Sequence, residues 1–359
     1  MKTEFVRSTA IAALLSLASA APARAQLEIK PNDEVGIKFG VLGQAQADWL
    51  GDPSGGGTIQ NLFIRRARLI VGGQVTKRVT FFLETDTPNL GKSTPPGSKN
   101  LQTGTILQDA YGEFKANDAF AVDAGLMYVP FSHNSLQSGA TLLAIDYGPY
   151  TFAQSVPTQS SAGRDTGFQA RGYLVSRRLE YRAGAFQGVR DARSHNPFRY
   201  AARLQYNFCD TDTAFFYSGT SLGKKRVVAV GGAVDAQRTY RGYDLDAFVD
   251  WPTGPGAVTG QLDYNHFNGG DTFASLPKQH DYLVELGYFI PAAKVSPIVQ
   301  IAKKDLVDTS AGDEDRWSIG AAYWLAGHTA NVKGAYSRIR PSGLPRQNEF
   351  SIQLQLFYF

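Results

Sequence analysis

Alternate residues between positions 35 and 49 differ in kind, and this regularity restricts the fold more than any other feature of the chain. Val35, Ile37, Phe39, Val41, Gly43, Ala45, Ala47 and Trp49 fall on one side, while Gly36, Lys38, Gly40, Leu42, Gln44, Gln46 and Asp48 fall on the other. Successive side chains leave a strand on opposite faces, so the segment reads as a long strand with one apolar and one wet face. The pattern returns at 197–208, 282–290 and 350–358, where Phe350, Ile352, Leu354, Leu356 and Tyr358 share a face. Helical periodicity is sustained nowhere.

Half-apolar strands in this number leave two architectures: a sandwich or propeller with a dry core, or a membrane barrel with a wet interior. Strand length separates them. Sandwich strands run about five or six residues, whereas these run about ten to fifteen, which suits a strand crossing an outer membrane. The polar row is also too charged for a core, because Lys38, Gln44, Asp48, Arg66, Arg68, Arg199, Arg203, Asp244, Asp246 and Asp263 would be ruinous if buried and are expected to meet water.

Sixteen strands are expected, near 34–49, 61–76, 78–87, 104–115, 119–129, 166–176, 178–188, 197–208, 226–236, 240–250, 256–267, 279–289, 294–304, 314–324, 328–339 and 347–359. Residues 213–218 resemble a seventeenth, but single-chain bacterial barrels have even strand numbers, which assigns them to a connection. Gaps after odd strands are mostly long (50–60, 88–103, 130–165) and gaps after even strands mostly short (77, 116–118, 325–327), the pattern of long outer loops and short periplasmic turns. The long connection 209–225 and the short one 237–239 run against that pattern. The expected fold class is all-β, a transmembrane antiparallel β-barrel of sixteen strands with a long constriction loop after strand 5.

The N-terminus agrees with export. Lys2 and Arg7 precede the apolar run 9–18, and Ala23-Arg24-Ala25 offers an A-x-A cleavage site, so residues 1–25 read as a secretory signal and 26–359 as the barrel. Removing the signal lowers the formal net charge from +4 to +2, with 33 basic and 31 acidic residues left. A charge that small gives no reason to expect nucleic acid as a partner. With Cys209 alone, neither a disulfide scaffold nor a Cys-based zinc site is tenable.

A sixteen-strand barrel is too wide for side chains to fill, so its bore is an aqueous channel unless something plugs it, and function depends on what narrows it. The longest connection, 130–165, carries Leu142, Leu143, Ile145, Tyr147, Tyr150 and Phe152, which want burial, and is expected to pack against the inner wall. Trp49, Trp251 and the closing Phe357, Tyr358 and Phe359 suit interfacial girdles. Catalysis, cofactor binding and a metal centre are not expected. His133 beside Ser132 and Ser135 is a loop cluster without an evident triad, residues 305–315 do not match an EF-hand, and Gly55 to Gly57 precede no helix that would cradle phosphate. An outer-membrane barrel acting as an adhesin or hydrolase without a conducting pore is the competing reading.

Several segments resemble the phosphate-selective porin O and P family. They are Phe63-Ile64-Arg65-Arg66-Ala67-Arg68-Leu69, Val129-Pro130-Phe131-Ser132, Arg164-Asp165-Thr166-Gly167 with Arg171-Gly172, Leu179-Glu180-Tyr181, Gly184-Ala185-Phe186-Gln187-Gly188 and Gln353-Leu354-Gln355. The resemblance implies a trimeric sixteen-strand channel of the bacterial outer membrane, surrounded by lipid, with a constriction loop after the fifth strand and basic residues that conduct phosphate or polyphosphate. Pro130, Phe131, Ser132, Tyr147, Arg164 and Asp165 belong to that loop or its roots. Strand parity sends Lys38, Arg66, Arg68, Arg171, Arg182, Arg199 and Arg203 inward as candidate pore-lining anion ligands, because guanidinium groups match phosphate oxygens bidentately. Phe63, Ala67, Leu69, Val71 and Val75 form the opposite, apolar face, and Arg65 shares it near the strand end. Glu84, Asp86, Asp109, Glu113, Asp123, Asp244, Asp246 and Asp263 share the lumen, so many of these arginines are equally expected as paired wall charges. The family commonly carries a basic residue where this chain has Tyr128, and a general porin with mild anion preference stands beside a specific phosphate channel.

Overall fold

The computed structural model describes residues 27–359 apart from residues 33, 95–97 and 102–103. The signal sequence expected over 1–25 lies outside the described residues. Sixteen long strands form one antiparallel ring. They are β1 (Gly36–Gly51), β2 (Thr58–Thr76), β3 (Val79–Asp86), β4 (Ile106–Asn117), β5 (Phe120–Tyr128), β6 (Arg164–Leu174), β7 (Leu179–Phe186), β8 (Arg199–Asn207), β9 (Val227–Gln237), β10 (Tyr240–Thr253), β11 (Gly256–Asn268), β12 (Gln279–Phe289), β13 (Val295–Leu306), β14 (Glu314–Tyr323), β15 (Ala330–Pro341) and β16 (Gln347–Tyr358). The ring closes where β16 lies against β1, from Glu349 opposite Leu50 to Tyr358 opposite Val41. A short extra strand, Leu27–Ile29, continues along β1 past the end of β16, with Leu27 opposite Phe39. Closure pairs every long strand on both sides, as lipid requires.

Alternation along the strands sorts the two surfaces. Val41, Leu69, Phe168, Leu204, Leu245, Leu286 and Leu356 are exposed on the outside, while Gln44, Asp48, Arg199, Arg203, Asp263 and Gln355 are buried within. The buried polar side chains survive because they bond to one another, as when Gln44 Nε2 donates to Gln355 Oε1 (2.8 Å) across the closing seam.

Parity fails in the middle of β2. Gln44 lies opposite Arg66 while Ala45 lies opposite Ile64, so Arg65 is the extra residue of a β-bulge. One inserted residue exchanges the faces beyond it. Leu62 is turned outward and Phe63 is buried inside, which corrects the expectation that Phe63 shares the apolar row. Arg65, expected on that same row, reaches inside to Asp146.

The chain terminus gives a second correction. Phe357 belongs to the inward row of β16, and Phe359, just past its end, continues that row into the lower bore rather than joining a girdle. A β-carbon on Gly72 would lie 2.7 Å from Phe359 Cζ, and one on Gly40 would lie 2.7 Å from Phe359 Cδ2. Two glycines therefore make room for the terminal ring inside the barrel.

The two connections that broke the length pattern have structural reasons. Residues 208–226, joining β8 to β9, do not hang from the short-turn rim but fold into the bore. Residues 213–218 form no barrel strand, and Tyr217 makes a single parallel bridge with Gln137. On the opposite rim the tight β9–β10 turn lies beneath the β11–β12 loop, where Thr239 N donates to Thr272 Oγ1 (3.2 Å) and Phe273 stacks on Tyr240 at 3.8 Å.

Candidate functional site

The lumen is narrowed by residues 129–163, which leave β5 and reach across to the far wall. Asn134 N donates to Asp263 Oδ1 on β11 (3.2 Å), Gln44 Nε2 on β1 donates to Gly139 O (3.3 Å), and Lys333 Nζ on β15 donates to Ala144 O (2.9 Å). Tyr150 OH donates to Glu314 Oε1 on β14 (2.8 Å). The apolar side chains of this loop explain the inward fold, for Leu142, Leu143 and Tyr147 are buried, with Leu143 packed beside Ile298, Ala322 and Trp324.

The roots of the loop are equally fixed. Pro130, Phe131 and Ser132 are buried, Phe131 among Tyr240, Phe267 and Phe273, and its carbonyl accepts from Arg203 Nη1 (2.7 Å). Tyr147 OH donates to Gln137 O (2.7 Å) and meets Tyr128 OH at 3.1 Å. Arg164 pairs with Asp109 (2.9 Å) and lies over the Tyr128 ring at 3.5 Å. Asp165 accepts from Gly188 N (2.9 Å) and lies 3.7 Å from Arg199.

The inward arginines divide into two groups. Arg182 is held by Glu180 (2.7 Å), Arg199 by Asp235, and Arg203 by Asp246 and Asp244, with Nη1 of Arg203 3.1 Å from Asp244 Oδ2. Each of these three is almost wholly buried, so they stand as neutralised wall charges. Arg171, which pairs with Asp123 (3.0 Å) and Glu113, and Lys38 line a lower cavity of about 570 Å³ near the short-turn rim. Arg66 and Arg68 line an upper cavity of about 420 Å³, together with Arg65 and Arg164.

That upper cavity is the electropositive part of the bore. Its described lining carries seven basic side chains (Arg65, Arg66, Arg68, Lys92, Arg164, Arg316 and Lys333) against four acidic ones (Asp48, Asp86, Asp146 and Glu349). Asp146 is the centre of the arrangement, 2.7 Å from Arg65 and 2.6 Å from Arg66. Burial alone would raise this loop carboxyl, but the two guanidinium groups outweigh it and hold Asp146 well below the usual carboxylate range. Arg68 is taken by Glu84 (2.7 Å) and Asp86 (3.0 Å).

Four members of this lining were not singled out in the sequence. Arg65 is hidden by the bulge, which no periodicity announces. Lys92 lies in a loop, where it meets Asp48 at 3.1 Å and covers Phe63 at 4.6 Å. Arg316 and Lys333, by contrast, sit on the polar rows of β14 and β15, where strict alternation would have found them.

Opposite this face the wall is acidic. Oxygens of Asp244, Asp246 and Asp263 converge within 4.8 Å, the one grouping among the described residues that matches a metal-ligand set. Arg203 and the loop N–H groups of His133 (2.9 Å to Asp246) and Asn134 take several of these oxygens, so the cluster anchors the constriction loop.

A closed ring of sixteen strands, apolar outside and polar within, whose bore is narrowed by inward segments, defines an outer-membrane pore protein. The chain belongs to the phosphate-selective porin O and P family, whose profile matches residues 39–226. No curated protein sequence matches it. Among solved structures it is similar to the anion-selective porin of Comamonas acidovorans, with 12% identity, 90% of this chain and 100% of that one covered, and a TM-score of 0.58. It is also similar to OmpF of Salmonella typhi in complex with daunomycin (13%, 92% and 100%, TM-score 0.62) and to OmpT of Vibrio cholerae in its trimer form (10%, 91% and 100%, TM-score 0.58). The chain is thus an outer-membrane channel of the porin type.

Proposed function

We propose that the channel passes small hydrophilic solutes with a preference for anions, phosphate among them, and that the upper cavity makes the choice. The observation that carries this reading is the excess of basic over acidic side chains around that cavity, with Arg65 and Arg316 about a quarter exposed and Lys92 more so. A narrow site ringed by Arg and Lys lowers the barrier for an anion and raises it for a cation. Arg182, Arg199 and Arg203 lie outside this lining as structural pairs. The anion-selective porin with the same fold supports the reading, as does the family. A homotrimer, suggested by the trimeric form of a structural relative, and export directed by residues 1–25 complete it. The family and the barrel favour a conductor over a hydrolase or adhesin.

The test is the reversal potential in a salt gradient across a planar bilayer. The wild type is expected on the anion side, and Arg65→Gln/Arg66→Gln is expected to move toward cations because Asp146 is then left without its partners. An unchanged potential would sink the assignment of selectivity to this cavity. Phosphate added to chloride solutions separates a specific site, which lowers current at low phosphate concentration, from a general pore, which does not.

A further inference from the structure

The upper and lower cavities share no lining residue, and a wall of aromatic rings runs from Phe82, Tyr111, Phe215 and Phe359, which line the lower one, through Phe216 and Tyr128 to Phe152, which lines the upper one. Most of the wall belongs to barrel strands or their ends: Phe82 on β3, Tyr111 on β4, Tyr128 at the end of β5 and Phe359 at the chain terminus. Phe152 belongs to the constriction loop, and two rings come from elsewhere. Phe215 and Phe216 are carried into the bore by the β8–β9 connection, which enters from the short-turn rim. Phe215 stacks on Tyr111 at 4.4 Å, while Phe216 meets Phe82 at 5.2 Å and Tyr128 at 5.6 Å. Phe359 extends the same row, 5.8 Å from Phe82.

The connection is held in place by polar bonds on several sides. Tyr217 N donates to Leu136 O (2.9 Å) and Ser138 N to Tyr217 O (2.9 Å), which ties it to the constriction loop. Tyr217 OH donates to Glu180 Oε2 (3.0 Å), and Arg182 Nη1 donates to Phe215 O (2.9 Å), which ties it to the wall. Farther along, His328 Nε2–H donates to Thr220 O (2.9 Å). Fixed this firmly, half-buried phenyl rings in a water-filled bore are not an accident of loop collapse.

We propose that Phe215 and Phe216 are the filter of this channel, an apolar septum that sets both its conductance and the largest solute it passes. The proposal rests on the channel reading above and adds where the resistance lies. A hydrated ion gains no polar partner from these rings, so a narrow apolar section opposes its passage by dewetting and by the cost of stripping its shell. The guanidinium groups of Arg171 and Arg182, each paired with wall carboxylates, lie 5.4 and 5.3 Å from the Phe215 ring and hold it from the strand side without adding net charge to the septum. The basic upper cavity chooses the sign of the solute, and the rings choose its size.

Single-channel conductance in planar bilayers, paired with swelling of liposomes in sugars of increasing size, tests this. Phe215→Ala/Phe216→Ala is expected to conduct severalfold more than wild type and to admit larger sugars, with the reversal potential still on the anion side because Arg65 and Arg66 are untouched. Phe216→Trp is expected to change conductance in the opposite direction. Heat-modifiable mobility on gels confirms that each variant is a folded barrel. A silent wild type with a conducting double-alanine variant also supports the filter. Equal conductance and equal size limits in wild type and both variants overturn the filter while leaving the channel intact, whereas silence of all three overturns the channel reading itself.

Discussion

Gly219 and Leu142 meet backbone to backbone inside the barrel. A β-carbon on Gly219 would lie 2.7 Å from Leu142 Cα and 2.7 Å from Thr141 O, and Thr220 N donates to Thr141 O at 3.1 Å. One of these residues arrives from the long-loop rim and the other from the short-turn rim, so the two inward segments are a single stitched unit. Glycine is required here by the close approach and not by an unusual backbone angle. Gly219→Val is therefore expected to part the segments at a cost of about 1–3 kcal/mol, the usual range for overpacking. The barrel itself should persist. The readout is flickering single-channel current with faster proteolysis in the 208–226 region, and quiet wild-type currents in the variant would count against the stitch.

Asp146 restrains two arginines at once, which gives the selectivity argument a second sign. Asp146→Asn leaves Arg65 and Arg66 in the upper cavity without their carboxylate and raises its local charge by one unit. The expected outcome is a reversal potential farther on the anion side than wild type, opposite to Arg65→Gln/Arg66→Gln, with the difference shrinking at high salt as screening grows. Movement of both variants in the same direction would mean that the mutations disturb the loop rather than the field.

How much of this was legible in the sequence follows from which physical rule governs each residue. Strand number and the faces of β1 and β8 were readable because a two-residue period is imposed by backbone geometry and leaves a trace in every side chain. The inward direction of residues 129–163 was readable from Leu142, Leu143 and Tyr147, which no exposed loop would carry. The bulge at Arg65 was not, since an inserted residue alters parity only beyond itself and nothing in the Arg65-Arg66 pair marks which one is extra. The inward fold of residues 208–226 was missed for a related reason. The even strand number assigns Phe215, Phe216 and Tyr217 to a connection, but only the partners that the folded barrel offers, Tyr111, Glu180 and Gln137, distinguish a lumen plug from a loop that hangs outside the bore. The division of arginines into wall pairs and cavity cations also waited for the structure, because both kinds occupy the same polar row.

The terminal ring yields a reciprocal prediction. Gly72→Val would drive its β-carbon into Phe359, 2.7 Å from Cζ, and expel the ring from its place beside Phe82. Assembly of the heat-modifiable barrel is expected to slow and its thermal midpoint to fall. Adding Phe359→Ala to Gly72→Val removes the collision and should recover part of the loss, a coupling that independent sites do not show. Strictly additive effects would place Phe359 outside the barrel.

Two histidines in the connecting segments make the inner unit sensitive to acid. Burial lowers His133 to about 4, against the attraction of Asp246, and burial aided by Lys333 lowers His328 to about 4. His133 stacks between Tyr217 (4.7 Å) and Phe248 (4.2 Å), and His328 holds Thr220, so both support the β8–β9 connection. A histidine whose folded value lies below its unfolded 6.5 binds fewer protons when folded, so stability rises with pH across that interval. The contribution is fully present above about pH 6.5 and is lost as pH falls toward 4, where each site has given up about 3 kcal/mol. Thermal unfolding of the detergent-folded protein between pH 7 and 4 should therefore show a decline that His133→Gln and His328→Gln each make shallower, and current noise should rise in wild type over the same interval. Parallel curves for wild type and both variants would assign the acid sensitivity to the wall carboxylates instead.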